Sequence, residues 1–362
     1  MPSTGLEQTR GAVQLKQSFV LLSCLLPQRA GAEGWGWFTR NAMSGVRLFI
    51  RICLRMRQLL SAGLLLLAPQ LEAQRVFPGG PTFPSSDSTV LITLGTGTPV
   101  PNPERSGPAT AVVVGRRVFL FDAGAGVMRR VAAAGLPIDG VTAAFITHLH
   151  SDHTLGLPDL VLTSWVMGRS TPMRLHGPPG LRRMTDHLIE AWAEDTVVRV
   201  NGLERGRPGG YRVDVRETNG GVVFDSAGVK VTAIRVPHGE WDVAFAYRVD
   251  APGRSIVISG DTRYSDALER AAANVDVLVH EVYPETRIAT ENRPGGELWP
   301  RYLREVHTSD VELGRLAAAA KPKLLLLTHV LFMGAPEQEV LDGIRRGGFT
   351  GTVSIARDLG RY

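Results

Sequence analysis

An α/β fold is the class this 362-residue sequence predicts, and three observations predict it. Short apolar runs such as 141–146 and 324–327 have the length of buried strands rather than of helices. They alternate with helical stretches, the order of a sheet protein with helices on its faces. Several of the apolar runs also end on a residue able to bind a metal, so the chemistry sits at strand ends.

The elements follow in order. Strands are predicted at 89–94, 110–114 and 118–121. The glycines of Phe121-Asp122-Ala123-Gly124-Ala125-Gly126 allow a tight turn into a helix over 126–134. The strand 141–146 comes next, then a helix over 158–167 with Pro158 in its first turn. A helix over 180–193 follows Gly177-Pro178-Pro179. The second half predicts strands at 221–225, 229–236, 244–249 and 255–258, the last pair joined at Ala251-Pro252-Gly253. A helix over 266–274, a strand over 277–280 and a helix over 309–320 come after. A strand over 323–328, a helix over 336–346 and a strand over 352–356 complete the chain. The segment 285–302 is polar and carries Pro294-Gly295-Gly296, which predicts a loop over the site.

The densest chemistry lies in Thr147-His148-Leu149-His150-Ser151-Asp152-His153. In extended backbone His148 and His150 point to the same side and can grip one cation. Asp152 and His153 fall where the chain turns and can face a second. Neutral imidazole and carboxylate suit zinc and other borderline first-row ions. Three later residues repeat the arrangement: His238 after Ile234-Arg235-Val236-Pro237, Asp261 after Ser255-Ile256-Val257-Ile258-Ser259-Gly260, and His329 after Leu324-Leu325-Leu326-Leu327-Thr328. Asp122 is placed to support a metal-bound histidine, and Trp241, Trp165, Tyr283 and Trp299 are candidate pocket walls. His176, in a Gly-Pro turn, and His187, on a helix surface, are not expected to bind metal.

This series of motifs resembles the metallo-β-lactamase superfamily from about Val90 to the C-terminus. The resemblance implies an αβ/βα four-layer sandwich with a two-metal site at one sheet edge. It implies that His148, His150 and His238 hold one divalent ion, that Asp152, His153 and His329 hold the other, and that Asp261 bridges them. Two such ions, expected to be zinc, make water reactive and neutralise the group under attack. Leu94-Gly95-Thr96-Gly97-Thr98-Pro99 and Phe121-Asp122-Ala123-Gly124-Ala125-Gly126 resemble the ribonuclease Z branch. So does His307-Thr308-Ser309, whose histidine is implied to protonate the leaving oxygen, and His280-Glu281, whose carboxylate can orient His307. Catalytic roles are therefore expected for Asp152, His307 and Glu281.

Within that branch two readings compete. A tRNA 3′-processing nuclease carries a long arm between the third metal motif and Gly-Asp-Thr. Here only 239–260 separate His238 from Asp261, room for one hairpin. Residues 1–73 hold eight basic against three acidic residues, which leaves 32 basic and 32 acidic beyond them. A neutral domain shows no linear basic stripe for a nucleic acid. Arg105-Ser106-Gly107-Pro108-Ala109-Thr110 and Leu175-His176-Gly177-Pro178-Pro179-Gly180 resemble the arylsulfatase-like group. The expected activity is thus hydrolysis of sulfate or phosphate esters by a zinc-dependent, arylsulfatase-like hydrolase. The alternatives are a ribonuclease Z-type tRNA 3′-processing endonuclease or phosphodiesterase, and a lactone or carboxyl-ester hydrolase. The expected partner is a small-molecule ester, not a nucleic acid; a homodimer is allowed.

The N-terminal part reads as targeting. Arg51, Arg55 and Arg57 precede the apolar stretch 59–68 and then Pro69-Gln70-Leu71-Glu72-Ala73, the order of a secretory signal. Residues 1–73 are expected to be a presequence, with the signal at 51–73 and a natural start at Met43 or Met56. Residues 74–88 read as a linker and 89–362 as the hydrolase domain. The apolar core is too short to span a membrane, so no stable span is expected in the mature protein. A periplasmic or secreted location follows. Cys24 and Cys53 both precede Ala73, so the mature chain has no disulfide, thiolate ligand or cysteine nucleophile.

Overall fold

The computed structural model describes residues 88–362. The expected presequence 1–73, its signal segment, the two candidate start residues and nearly all of the 74–88 linker lie outside the described residues. Among the described residues no helix is long and apolar enough to cross a membrane.

Strands form two sheets of seven. The first includes β1 (Thr89–Gly95), β2 (Ala109–Val114), β3 (Arg117–Phe121), β4 (Val141–Phe145), β5 (Met173–Gly177) and β6 (Val213–Glu217). The second is built from β7 (Gly221–Ser226), β8 (Val229–His238), β9 (Trp241–Ala251), β10 (Arg254–Ile258), β11 (Val277–Val282), β12 (Leu324–Val330) and β13 (Thr352–Ile355). The short β14 (Gly360–Arg361) returns to the first sheet beside β1, so the orders are β14-β1-β2-β3-β4-β5-β6 and β13-β12-β11-β10-β9-β8-β7.

Three layers of core separate four layers of structure. Phe119, Phe121 and Phe145 of the first sheet pack on Phe245, Tyr247 and Val277 of the second. The first sheet's other face buries Val127, Met128 and Val131 of α1 (Val127–Ala133) and Leu181 of α2 (Leu181–Ala191). A further helix, α3 (Ala193–Asn201), follows α2. The second sheet's outer face covers Leu268 of α4 (Asp266–Ala271). After α5 (Trp299–Val306), it also covers Leu313 and Leu316 of α6 (Asp310–Ala320) and Val340 and Ile344 of α7 (Glu337–Arg346). This is the expected αβ/βα four-layer sandwich. Strands such as β4 and β11, buried on both faces, are largely apolar, with the runs 143–146 and 277–279, which is why they were visible in sequence.

Three local readings change. The stretch 158–167 is helical but begins as a π-helical turn, Asp159–Thr163. Residues 285–302 are not wholly a loop: α5 starts at Trp299, with Pro300 in its first turn. His176 lies not in a turn but on β5, buried and stacked on Phe145 at 4.9 Å.

Strand direction gathers the chemistry. β3, β4, β5 and β6 run parallel, as do β10, β11, β12 and β13. The turns after β4, β10 and β12 therefore emerge together, where α/β sheets bind ligands. Two clips join the sheets there: the Tyr247 hydroxyl donates to the Ile146 carbonyl (2.8 Å), and the Phe245 N–H donates to the Thr147 carbonyl (2.9 Å).

Candidate metal centre

All seven expected ligands converge. The donor atoms of His148, His150, His238 and Asp261 lie within 4.8 Å of one another, as do those of Asp152, His153 and His329. Asp261 stands between the groups. One of its oxygens is 3.4 Å from His153 Nε2; the other is 3.6 Å from His329 Nε2 and 3.9 Å from His148 Nε2. Asp152 approaches His329 Nε2 at 3.2 Å and His153 Nε2 at 3.4 Å.

The backbone is shaped to make this possible. Gly260 has φ +58, and a side chain there would meet the Phe245 carbonyl and the Thr147 Cβ at 2.8 Å, so glycine lets Asp261 turn into the cluster. Asp122 and His329 adopt φ of 59 and 45, a left-handed conformation that non-glycine residues rarely take. Asp122 is anchored in return: it accepts from the Thr147 N–H (2.8 Å), the Thr147 hydroxyl and His153 Nδ1 (2.8 Å). One carboxylate thus fixes the whole turn carrying four of the seven ligands.

These contacts also set the imidazole tautomers. His153 donates from Nδ1 to Asp122, and His238 donates from Nδ1 to the Val306 carbonyl (2.8 Å), which leaves both Nε2 lone pairs inward. Thr147 Oγ1 lies 3.0 Å from His148 Nδ1 while bonded to Asp122, completing a third support. His148 Nε2 and His238 Nε2 approach His150 Nδ1 at 2.9 and 3.1 Å. Three ring nitrogens converging on one point are the geometry of a cation's donor set.

Buried His153 Nε2 and Asp261 Oδ1 have no hydrogen-bond partner. Buried polar atoms are rarely left so, because each costs its full desolvation. The donors are imidazole nitrogens and carboxylate oxygens, a set that divalent ions of this type accept. The residues present therefore fit a pair of such ions.

Electrostatics agree with the geometry. Burial pulls the His148 pKa well below the ordinary imidazole value, lowers that of His238, and takes His150 to about 4, so all three are neutral at neutral pH. Burial works against ionised Asp261, but His329 and His153 outweigh it and hold the carboxyl well below its usual range.

Beside the cluster, His307 Nδ1 lies 3.3 Å from Glu281 Oε1. The same oxygen accepts from the Thr262 N–H (3.2 Å) and the Thr308 N–H (3.1 Å), so Glu281 is held while it holds His307. Burial lowers the His307 pKa, and the Glu281 carboxylate more than restores it, raising it above the ordinary value. His280, although in the same motif, bonds through Nδ1 to the Glu281 carbonyl (2.6 Å) and belongs to neither ligand group. His187 is exposed on α2, as expected.

Trp241 is a wall of the site, as expected, and its indole N–H reaches His150 Nε2 at 2.9 Å. Trp165 is not: it is buried and donates to the Arg207 carbonyl. Tyr283 is likewise buried. Sequence reading missed Thr147 as the relay to Asp122, and it missed Tyr302. The Trp299/Tyr302 spacing of three, on one side of a helix, was the available signal for the latter.

Comparison with known proteins places these features in context. A family model described as "Beta-lactamase superfamily domain" matches residues 117–330. The chain is 32% identical over 281 residues to a protein named Ribonuclease Z from Mycobacterium bovis (strain BCG / Pasteur 1173P2), covering 75% of this chain and 96% of that one. It is 35% identical over 259 residues to the Ribonuclease Z of Mycobacterium sp. (strain KMS), covering 68% and 85%. Among solved structures, the metallo-beta-lactamase fold protein YhfI from Bacillus subtilis aligns with TM-score 0.58 at 16% identity, over 76% of this chain and 98% of that one. Human tRNase Z, short form, aligns with TM-score 0.55 at 24% identity, over 75% and 98%. At those identities the structural likeness speaks for the fold.

Proposed function

The chain belongs to the metallo-β-lactamase superfamily, in its ribonuclease Z-like branch, and from that premise we propose that this hydrolase cuts phosphodiester bonds in RNA, removing the 3′ trailer of tRNA precursors. The observation that carries the reading is the Glu281–His307 pair set against the two ligand groups.

Two sequence expectations are corrected. The arylsulfatase-like assignment gives way because the relatives matched over nearly their whole length are named Ribonuclease Z. The missing arm does not argue against this. β9 and β10 do form the hairpin expected, with Ala251 paired to Arg254, but the 281 aligned residues cover 96% of the relative and 75% of this chain, which leaves little room for a long insertion in the relative either. The expectation that no nucleic acid is bound falls with it. A charge balance averaged over a domain is blind to where arginines lie, and Arg105 and Arg301 line cavities at the site.

We assign His148, His150 and His238 to one ion, Asp152, His153 and His329 to the other, and Asp261 to both; the donor set favours zinc. When bound, such a pair supplies a reactive water and neutralises the phosphoryl oxygens. Attack at phosphorus breaks the bond to the 3′ oxygen, which leaves as an alkoxide unless it gains a proton. His307 Nε2 supplies that proton. Glu281 favours the charged form of the imidazole and holds its Nδ1 side, and the products are a 3′-hydroxyl and a trailer with a 5′-phosphate.

The test is incubation of the full chain, loaded with zinc, with a tRNA precursor bearing a 3′ trailer. A single cut leaving a 3′-hydroxyl is expected; a folded, metal-loaded chain that leaves the precursor intact overturns the reading. Glu281→Gln supplies a second check. An acid catalyst works only below its pKa, and removing the carboxylate lowers that of His307. The alkaline fall in kcat should therefore move to lower pH. An unmoved alkaline limb would mean that another group gives the proton.

A further inference from the structure

Two cavities flank the ligand cluster. One, of about 630 Å³, is lined by Trp241, Arg301 and Tyr302. The other, of about 680 Å³, is lined by Trp299 and Tyr302, with Asp152, Asp261 and His307 also in its wall. Tyr302 and His150 belong to both, so they stand where the two cavities meet.

Trp299 and Tyr302 stand one turn apart on α5 with their rings stacked, 4.9 Å between centroids and 12° between planes. The Arg293 guanidinium lies 5.1 Å from the Trp299 ring centroid. At the inner end Tyr302 meets His307 edge to face at 5.8 Å. A column of flat groups therefore runs from the surface to the proton donor. Core packing does not explain it: Tyr302 is 38% exposed and Trp299 is only half-buried, in an otherwise polar segment. The neighbouring cations are held loosely. Arg301 pairs with Glu305 and Arg293 with Glu291 at exposed positions, where such pairs contribute little and exchange partners readily.

We propose that this Arg293–Trp299–Tyr302 column stacks an unpaired nucleobase next to the scissile phosphodiester, making single-stranded RNA at the cleavage point the feature the enzyme recognises. The inference rests on the RNA-cleaving reading above and supplies what that reading lacks. The β8–β9 and β9–β10 turns are both tight and provide no arm to grip a distant part of the substrate, so grip has to come from close to the cut. Every base has a π face, so stacking on indole and phenol rings is tolerant of sequence. Unpaired RNA presents such faces where a duplex hides them. Arg293 and Arg301 then have adjacent phosphates to pair with.

The test is binding of a labelled tetra-adenylate and of an abasic tetranucleotide to the full chain, with a chelator present so that nothing is cut. The base-bearing strand should bind roughly tenfold tighter, in the range of one stacked base. Trp299→Leu should erase that difference, and Trp299→Phe should keep most of it. Equal binding of the two strands by the wild type, or an equal loss for both in Trp299→Leu, overturns the proposal. If the stacking preference holds but tRNA precursor is left uncut, the column stands and the processing function falls.

Discussion

His307→Ala should lower kcat on a tRNA precursor by about two to four orders of magnitude, the usual worth of a positioned proton donor, with both metal ions retained. His307 is buried against Glu281 and lies outside both ligand groups, so the donor sets survive its removal. The leaving group gives the sharper discrimination. A ribose 3′ oxygen departs poorly without a proton, whereas p-nitrophenolate departs readily as an anion. The variant should therefore keep much more of its activity on a p-nitrophenyl phosphodiester than on RNA. Equal losses on both substrates would mean that His307 does not protonate the leaving oxygen. Metal lost in parallel, by elemental analysis, would make it a ligand.

Asp261→Ala should be more damaging still, with a loss of roughly 10³-fold or more in turnover and less than two ions per chain. No other side chain in the cluster stands between both groups: its oxygens lie 3.4 Å from His153, 3.6 Å from His329 and 3.9 Å from His148. Asp261 also offsets charge. Burial disfavours a charged His153, and the carboxylates of Asp261 and Asp122 reverse that, raising its pKa well above the ordinary value. Asp261→Asn keeps the shape and one oxygen, so it separates loss of ligation from loss of packing. A variant that still held two ions and turned over at the wild-type rate would remove Asp261 from the centre.

The site was legible in sequence because its ligands end strands that are buried on both faces. β4, β10 and β12 each carry an unbroken apolar run, 143–146, 256–258 and 324–327, so the first metal-binding side chain after each run stands out. Asp122 was legible for a related reason, as a carboxylate at the end of β3. What stayed hidden lacked that contrast. β5 and β6 carry Arg174, Asp214 and Arg216 and do not read as apolar runs, and β14 is two residues long. The helix α5 is short and follows Pro294-Gly295-Gly296, so its residues read as loop, and Tyr302 was lost with them. The substrate was misread because both arguments used, a missing insertion and a neutral charge sum, concern the whole domain. Discrimination between esters depends on groups within one cavity.

The centre takes His148, His150, Asp152 and His153 from the turn after β4 in one sheet, and His238, Asp261 and His329 from the other. The Tyr247 and Phe245 clips at Ile146 and Thr147 help to hold those two contributions in register beside the ligands. Neither sheet carries a complete ligand set, so competence belongs to the seam. Tolerance to change should accordingly be lopsided, generous on the outer helices and strict at a few aromatic residues that never meet the substrate.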